Sequence, residues 1–464
     1  MVRPVLTPRS RQRRKAAGIY YTPAHIVTPI VKATVGELCR GKTPSQIARL
    51  RIMDPACGDG QFLLGACRYI LENHGLTSLE NTLHGVDSDP RAVELARASL
   101  SMRAEIRCAD SLRETDSGGY DAVIGNPPFG ARLTPAERTR LSERFPVFSR
   151  VPDSFVAFVE RAFELLKPGG KLGFVLPSAW LGGPRYRPLR DFLLSYRLES
   201  VKLLPFDSFP DAYVDTVVLI ASRARPQPGP PQQLWREHPD RKFILDPDMA
   251  GLVARLAKRI PTRGRDVFGM KRGVRFDPGL LCAKKSSKNS HRYFEGSVYR
   301  YRLDWSAPRW VEFGPGMKER PREFSWFEGK RILLRRLVNR RRRLMAAFTA
   351  RTVITNKNLY SIRPRGGVHP YHLLGILNSR LISSLYLSQV AQAVKDDFPQ
   401  ITIRDVLDLP FPPGEPRRLA GLVEEMLENP TDEIDRRIDR LVYDLYGLDD
   451  AEIGIVEGHQ PSSS

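Results

Sequence analysis

The residues whose types and spacing most clearly suggest a chemical reaction are Asn126-Pro127-Pro128-Phe129. The two prolines impose an extended backbone and carry no amide hydrogen, so the stretch presents the Asn126 side-chain carbonyl and the Pro127 backbone carbonyl as acceptors. An amino group on a planar heterocycle would suit this arrangement, because two carbonyls can accept its two hydrogens while its ring stacks on Phe129. The same residues could instead form a tight proline turn with a packed phenylalanine, and the tetrapeptide alone leaves both interpretations open.

The elements that must position this stretch follow from the apolar pattern. The apolar run Tyr120–Gly125 directly precedes Asn126 and predicts a buried strand, so the tetrapeptide falls on the loop at the carboxyl end of that strand. From residue 50 to residue 221 such runs alternate with helical patterns, which predicts a mostly parallel sheet covered on both faces. Open α/β sheets bind ligands at the carboxyl ends of their strands. The tetrapeptide is therefore expected at the ligand-binding edge.

Aspartates follow the other predicted strands at the same edge. Asp54, Asp87 and Asp110 each stand at or just past a strand end, as Asn126 does. A nucleoside-like ligand could lie across these ends, with Asp87 accepting from both ribose hydroxyls and Asp110 accepting from an adenine amino group. A single aspartate in this position commonly caps the following turn. Four such side chains in register favour a ligand site.

The turn after Asp54 is rich in small residues. Ala56, Gly58 and Gly60 would let the backbone approach a ligand closely. The turn lacks the G-x-G-x-x-G pattern of dinucleotide sites, and no Walker lysine follows Gly60, so NAD and ATP are disfavoured.

A second candidate ligand contact lies near the start of the chain. Thr22 precedes Pro23 and a helical pattern over residues 24–38, which predicts Thr22 as the N-cap with proline in the first helical position. The Thr22 hydroxyl could also bind a carboxylate near the helix start.

Composition restricts the class of partner. The 464 residues carry a formal charge of +21, which indicates a polyanionic partner. No stretch has the apolar length that spans a bilayer, and the basic N-terminus is not followed by an apolar signal region. Nucleic acid is therefore the expected partner rather than a membrane, with a cytoplasmic, nucleoid-associated location.

Cysteine and histidine usage disfavours a metal centre. The five cysteines have no C-x-x-C spacing, and the eight histidines form no i, i+4 ligand pair with acidic neighbours. The sequence predicts no metal site and no disulfide framework, which fits a reducing cytoplasm.

The chain contains three motifs, namely Gly18-Ile19-Tyr20-Tyr21-Thr22-Pro23, Asp54-Pro55-Ala56-Cys57-Gly58-Asp59-Gly60 and Asn126-Pro127-Pro128-Phe129. Together they resemble the N6-adenine DNA methyltransferases of bacterial restriction–modification systems, in the TaqI-like or Eco57I-like group. The order of these motifs is that group's gamma arrangement, with the recognition region last. The resemblance implies a Rossmann-like doubly wound methyltransferase domain that binds S-adenosylmethionine (AdoMet), followed by a mixed α+β DNA target-recognition domain.

The resemblance also implies roles for individual residues. Thr22 would contact the AdoMet carboxylate, Asp87 its ribose and Asp110 its adenine. Many members of the family have tyrosine where this chain has Phe129, but stacking requires only the ring. Phe276 is the candidate for a second aromatic on the other face of the target base. The implied cofactor site consists of Tyr21, Thr22, Asp54, Ala56, Cys57, Gly58, Asp87 and Asp110, and the implied catalytic site of Asn126, Pro127, Pro128 and Phe129.

The expected domains are a basic flexible tail at 1–15, a catalytic domain at 16–285, a basic target-recognition domain at 286–415 and a helical segment with a frayed tail at 416–464. The last segment shows two amphipathic helical patterns, and its acidic end is expected to fray. The densest basic run of the chain is predicted to contact phosphates, although a solvated surface strand or turn would also carry such charges. That run ends in Arg340, Arg341, Arg342 and Arg343.

The function implied by the resemblance is site-specific methyl transfer from AdoMet to N6 of an adenine flipped out of double-stranded DNA. The enzyme would be a monomeric modification enzyme or a solitary methylase. No PD-(D/E)xK nuclease pattern is evident, so any cognate restriction endonuclease is expected to be a separate protein. An RNA adenine methyltransferase, a protein-glutamine methyltransferase and a non-catalytic DNA-binding specificity subunit are the alternatives. The basic C-terminal half argues against a protein substrate, and the intact Asp87, Asp110 and Asn126 argue against a non-catalytic subunit.

Overall fold

The computed structural model describes residues 22–76, 78–79, 81–100, 104–115, 118–205, 208–209, 215–338, 342–389, 400–412 and 416–458. The chain divides into two compact units, residues 1–245 (unit 1) and 246–464 (unit 2). Several predicted features lie outside the described residues, namely the basic tail at 1–15, Tyr21, Arg340, Arg341 and the chain end from 459.

The described part of unit 1 contains a single mixed sheet. Its strands are β1 (Ile52–Asp54), β2 (Leu83–Asp87), β3 (Glu105–Cys108), β4 (Tyr120–Gly125), β5 (Leu166–Pro177), β6 (Arg197–Leu203) and β7 (Thr216–Ser222). They form a seven-stranded sheet in the order β3-β2-β1-β4-β5-β7-β6, in which β7 runs antiparallel to both of its neighbours and the other pairs are parallel. The parallel alignment brings the carboxyl ends of β1 to β4 to one edge, as predicted.

Helices cover this sheet. They are α1 (Ala24–Val31), α2 (Pro44–Ile47), α3 (Gln61–His74), α4 (Pro90–Leu100), α5 (Pro135–Arg144), α6 (Pro146–Arg150), α7 (Ser154–Leu165), α8 (Arg187–Leu194) and α9 (Gln232–Glu237). Residues of α1, α3 and α4 form one apolar cluster with β1, β2 and β4, while α7 packs against β4 and β5. The central strand β4 is buried along its whole length, as a strand covered on both faces must be. The predicted doubly wound α/β fold is confirmed.

The first helical region is longer than α1. A π-helical segment, Lys32–Gly36, and a final turn, Glu37–Cys39, continue it, so the helical run predicted for 24–38 is confirmed. This region lies directly against α3, because a Cβ on Gly65 would come within 2.6 Å of Val27 Cγ1. The close approach fixes α1 relative to the helix that follows the glycine-rich turn.

Unit 2 has smaller, mostly antiparallel sheets. Its strands are β8 (Phe268–Arg272), β9 (Ser290–Phe294), β10 (Ser297–Val298), β11 (Leu303–Asp304), β12 (Arg309–Glu312), β13 (Arg331–Arg335), β14 (Ala346–Thr349), β15 (Ile354–Thr355) and β16 (Leu359–Pro364). They form a four-stranded sheet β14-β13-β16-β8, a three-stranded sheet β12-β9-β15 and the pair β10-β11. With the helices below, these sheets confirm the predicted mixed α+β class.

The helices of unit 2 include the C-terminal segment. They are α10 (Pro247–Arg259), α11 (Gly264–Val267), α12 (Pro370–Asn378), α13 (Arg380–Gln389), α14 (Ile403–Leu407), α15 (Pro416–Glu428), α16 (Asp432–Tyr446) and α17 (Asp450–Gly458). The two predicted amphipathic helices are α15 and α16. The expectation that the acidic end frays is wrong for residues 450–458, because they form α17 and bury Glu452 and Val456.

The boundary between the units lies before the one predicted at 285. Residues 246–285 belong to unit 2 because β8 pairs with β16 and completes the four-stranded sheet. Helix α10 is also tied to the C-terminus, since Arg255 Nε lies 2.7 Å from Glu452 Oε1 and Arg259 NH1 lies 3.1 Å from Glu452 Oε2. The C-terminal helices are therefore part of unit 2 rather than a separate segment.

Within the described ranges, none of the helices combines the length and the apolarity that crossing a membrane requires.

Candidate active site

The predicted catalytic loop leaves the carboxyl end of β4 and is fixed by the start of α7. The Ser154 hydroxyl donates to the Pro128 backbone oxygen at 2.7 Å, and the Gly130 backbone N–H donates to Asp153 Oδ1 at 3.2 Å. Phe129 is buried, with 8% of its surface exposed. The loop is thus held at two points beyond Asn126, which restricts where its acceptor groups can lie.

Sequence reasoning missed this support. Asp153 occupies the N-cap position of α7 but makes no side-chain cap there, and its carboxylate binds the loop instead. Tyr186 completes the support, because its hydroxyl donates to Asp153 Oδ2 at 3.2 Å. Burial and the neighbouring Asp153 carboxylate raise the pKa of Tyr186 to about 12. The only signal in the sequence was an aspartate before an apolar helix, which ordinarily predicts a simple cap.

Removing the Ser154 hydroxyl should loosen the catalytic loop. We expect Ser154→Ala to lower kcat on the order of 3- to 10-fold with little change in AdoMet affinity, since one anchoring hydrogen bond is lost. Ser149→Ala is the matched control, because its hydroxyl also donates to a proline oxygen (Pro146, 2.8 Å) but on an exposed turn. Steady-state kinetics and calorimetry would check both variants, and an unchanged kcat in Ser154→Ala would remove this anchor from the mechanism.

Thr22 contacts the catalytic loop directly. The Asn126 side-chain Nδ2 donates to the Thr22 hydroxyl oxygen at 3.1 Å, which joins residues 104 positions apart in the sequence. The predicted N-cap role of Thr22 is wrong, because Pro23 is the N-cap residue and no side chain caps α1. The prolyl carbonyl instead accepts from the first turn, at 3.0 Å from Ile26 N and 3.2 Å from Val27 N. The Thr22 hydroxyl is therefore not used by the helix and lies beside Asn126 at the candidate site.

Asp54 links the glycine-rich turn to β4. It is 1% exposed, its Oδ1 accepts from the Ala56 backbone N–H at 3.1 Å, and burial raises the pKa of its carboxyl well above the usual range. A Cβ on Gly125, the last residue of β4, would lie 2.6 Å from Asp54 Oδ1. Glycine at 125 is thus needed for the ends of β1 and β4 to meet. Asp54 lies inside this junction rather than on an open surface.

The glycine-rich turn presents its backbone, not its cysteine. The Cys57 side chain is buried in the apolar cluster beneath the turn. The Cys57 backbone N–H donates to the Val86 backbone oxygen at 3.0 Å. Gly58 has a φ of +54°, and among the described residues no atom would lie within 4 Å of a Cβ placed there. The turn therefore faces open space at Gly58, where a ligand could approach the backbone.

Asp87 lies beside this turn at the end of β2. Its Oδ2 accepts from the Gly58 N–H at 2.8 Å and its Oδ1 from the Asp89 N–H at 2.9 Å. Burial raises the pKa of this carboxyl, although the two backbone donors oppose that shift. Each carboxylate oxygen has two acceptor sites, so each can still accept from a hydroxyl group.

Asp110 is already engaged by cations. Its Oδ1 accepts from the Leu112 N–H at 3.0 Å, and its Oδ2 lies 3.0 Å from Arg113 Nε and 3.4 Å from Arg140 NH2. A ligand amino group that reached Asp110 could use the remaining acceptor site of Oδ1, whereas Oδ2 would first have to release one of these guanidinium groups. Arg140 comes from α5, and nothing in the sequence pattern connected it with β3.

Comparison with known proteins identifies the family. Residues 5–238 match the N-6 DNA Methylase family, and residues 291–411 match the TaqI-like C-terminal specificity domain. The first match covers half of the chain. The chain belongs to the N-6 DNA methylase family. Membership makes S-adenosylmethionine the cofactor of the chain and confirms the family that the three motifs indicated.

Individual relatives agree with the family match. RM.MjaORFECS2P of Methanocaldococcus jannaschii is 28% identical over 379 residues, which cover 71% of this chain and 31% of that protein. The type II methyltransferase M.TthHB8I of Thermus thermophilus is 32% identical over 178 residues, covering 36% of this chain and 39% of that protein. The chain thus spans about a third of the length of these relatives.

A solved structure shares the fold over nearly the whole chain. The type IIL restriction-modification enzyme MmeI, determined in complex with DNA, has a TM-score of 0.64 and 14% identity, covering 98% of this chain and 79% of that one. At this identity the likeness concerns the fold.

Two of the predicted DNA contacts lie in unit 2. Phe276 packs edge-on against Tyr293, with ring centroids 5.2 Å apart, at the border of an apolar cluster. The Arg343 side chain is 12% exposed, donates to the Asn378 oxygen at 2.8 Å and lies 3.5 Å from Asp439 Oδ2. The structure therefore places Arg343 in internal contacts, whereas the sequence predicted a phosphate contact. Arg342 is half-buried, with a φ of +53°.

Within the residues that the structure describes, no three His, Cys, Asp or Glu side chains are grouped so that they could hold a metal ion.

Proposed function

We propose that this methylase transfers a methyl group from AdoMet to N6 of an adenine flipped out of double-stranded DNA. It would act as the modification enzyme of a restriction–modification system or as a solitary methylase. The observation that carries the proposal is the placement of Asn126 at the carboxyl end of β4, with its amide bonded to Thr22 and the Pro127 carbonyl next to it. The match of unit 2 residues to a TaqI-like specificity domain supports DNA, rather than RNA or protein, as the substrate.

The described residues fit the cofactor. AdoMet supplies an electrophilic methyl group when bound. Asp87 has acceptor capacity for two ribose hydroxyls, the backbone at Gly58 faces open space, and the Thr22 hydroxyl lies near the start of α1 where a carboxylate is favoured. Asp110 would accept from the adenine amino group at the remaining acceptor site of Oδ1, or at Oδ2 in place of one of its arginine partners.

The catalytic role of the loop follows from the chemistry of adenine. The N6 lone pair is delocalised into the ring, so the amine is a poor nucleophile. Asn126 Oδ1 and the Pro127 oxygen would accept its two hydrogens, localise the lone pair on nitrogen and stabilise the positive charge that develops there. No strong base is required before methyl transfer, because the amino proton becomes acidic only afterwards.

The target base must leave the duplex to reach this loop. Extruding a base costs a few kcal/mol. Stacking on Phe129 would return about 1 to 3 kcal/mol of that cost. Phe276 remains the predicted partner for the second face of the base.

The test of this function is modification mapping of genomic DNA by long-read sequencing. Cells that express the protein should contain N6-methyladenine at one recurring sequence, and cells that express Asn126→Ala should not. Purified protein with labelled AdoMet would be supplied in parallel with duplex DNA, RNA and protein. Label in RNA or protein and none in DNA would overturn the proposal. The monomeric state, the cytoplasmic, nucleoid-associated location and a separate endonuclease stay predictions of the sequence.

The basic run offers a test of DNA contact. Replacing Arg340 and Arg341 by serine and Arg342 by asparagine, which tolerates a positive φ, should weaken DNA binding and flatten its salt dependence. Each lost phosphate contact should reduce the slope of log K against log salt by about 0.9.

Arg343→Gln is the contrasting variant. Because Arg343 contacts Asp439 and Asn378, the variant should have a lower thermal stability. The slope of log K against log salt for DNA binding should not change. Binding titrations at several salt concentrations would check both variants. A slope unaltered by the triple replacement would exclude the run from the DNA interface.

A further inference from the structure

The hydrogen bond between Thr22 and Asn126 connects the cofactor motif to the catalytic loop. Asn126 Nδ2 donates to Thr22 Oγ1 at 3.1 Å, and Thr22 is 6% exposed. Since Pro23 serves as the N-cap residue of α1, this hydroxyl is not needed for the helix. Its contact with Asn126 gives the hydroxyl a role beyond that of a ligand contact.

The orientation of the Asn126 amide decides whether the site can work. An asparagine amide has two orientations of nearly equal shape, which exchange the positions of Oδ1 and Nδ2. Only the carbonyl oxygen can accept a hydrogen from the target amine, because the NH2 group would oppose another donor. A hydroxyl beside the amide does not choose between the orientations, since it can accept from Nδ2 or donate to Oδ1.

We propose that Thr22 is a positioning residue that turns the Asn126 amide into its active orientation when the cofactor carboxylate is present. The inference rests on the proposed function. A carboxylate only accepts hydrogen bonds, so the single hydrogen of the Thr22 hydroxyl is donated to it. The hydroxyl oxygen can then only accept, which selects Nδ2 of Asn126 as its donor. Oδ1 is then the group offered to the target amine, and the amide has this orientation in the structure.

The consequence is a dependence of catalysis on the cofactor carboxylate. Without a carboxylate, the hydroxyl regains both roles and the amide populates both orientations. Without the hydroxyl, the carboxylate has no route to the amide. Loss of the carboxylate and loss of the hydroxyl therefore affect the same step, so their reductions in kcat should not multiply.

The experiment combines Thr22 variants with a cofactor pair. Thr22→Val has the same shape without the hydroxyl, and Thr22→Ser retains it. Decarboxylated AdoMet is a methyl donor without the carboxylate. With the wild type at saturating cofactor, we expect kcat to be about 3- to 10-fold lower with decarboxylated AdoMet than with AdoMet. With AdoMet, Thr22→Val should lower kcat about 10-fold. Both effects correspond to the energy by which one hydrogen bond favours one amide orientation. The combination should be no lower than Thr22→Val alone, and Thr22→Ser should restore the wild-type value.

A second readout does not require activity. In protein labelled with 15N-asparagine, the side-chain amide signal of Asn126 can be assigned by its loss in Asn126→Ala. S-adenosylhomocysteine, which has the carboxylate, should shift this signal in the wild type and in Thr22→Ser. It should leave the signal in place in Thr22→Val, and decarboxylated AdoMet should leave it in place in the wild type.

The outcomes separate this inference from the proposed function. The proposal fails if the reductions in kcat caused by Thr22→Val and by decarboxylated AdoMet multiply. It also fails if Thr22→Val weakens cofactor binding but leaves kcat and the Asn126 signal unchanged. In either case Thr22 would be only a ligand contact. The wild-type arms and Thr22→Ser keep the test valid if Thr22→Val does not fold. If the signal behaves as expected but no DNA is methylated, the coupling stands and the assignment of DNA as substrate fails.

Discussion

Asn126→Ala should lower kcat on the order of 100- to 1,000-fold, with AdoMet affinity retained within about threefold. The size of the effect follows from what the side chain offers, which is an amide oxygen placed where positive charge would develop on the target nitrogen. Alanine removes that oxygen and also the donor to Thr22. The cofactor loop is held by Asp54 and Asp87 instead, so it should remain intact.

Single-turnover kinetics on a duplex substrate and calorimetry with AdoMet would check the two halves of this expectation. Asn429→Ala is a suitable control, because Asn429 is an exposed asparagine between α15 and α16. Wild-type activity in Asn126→Ala would refute the assignment of the tetrapeptide. A parallel loss of AdoMet binding would instead mean that the loop collapses without the bond to Thr22.

The framework of the site could be predicted from sequence because it follows from local patterns. Sequence patterns with Asp54, Asp87, Asp110 and Asn126 at or just past their ends predicted four strands, and parallel pairing brings such ends to one edge. What the pattern could not supply was the contact between side chains distant in sequence. Thr22 looked like a cap because it precedes a proline and a helix, yet its partner is 104 residues away.

The same limit explains the differences in unit 2. The four arginines at 340–343 are equivalent in a sequence, but Arg343 lies near Asp439, which comes from a helix almost 100 residues later. The acidic end was expected to fray because of its polarity, but Glu452 forms ion pairs with Arg255 and Arg259 on α10. The burial of a charged residue that is paired in this way cannot be predicted from the sequence around it, because its partner is distant in the chain.

Asp87→Ala should have the second large effect, on cofactor binding rather than on the chemical step. Two ribose hydroxyls would lose a charged acceptor, and the N–H groups of Gly58 and Asp89 would lose theirs. At about 1.5 to 3 kcal/mol for a hydrogen bond to a charged group, the loss of AdoMet affinity should be about 100-fold or more. Calorimetry would measure it. The control is Asp89→Asn, because this replacement keeps the oxygen that accepts from the Arg91 N–H.

Acid should weaken AdoMet binding through the same carboxylate. Burial raises the pKa of Asp87, so its protonation begins at a higher pH than for an exposed aspartate. Protonation removes acceptor capacity from an oxygen that must serve a backbone N–H and a hydroxyl together. Affinity should therefore be constant above the raised pKa and fall as the pH drops through it. The Asp87→Asn variant has no carboxyl to titrate and should bind weakly at every pH. A wild-type acid decline that persists in Asp87→Asn would assign the titration to another group, of which the buried Asp54 is the nearest candidate.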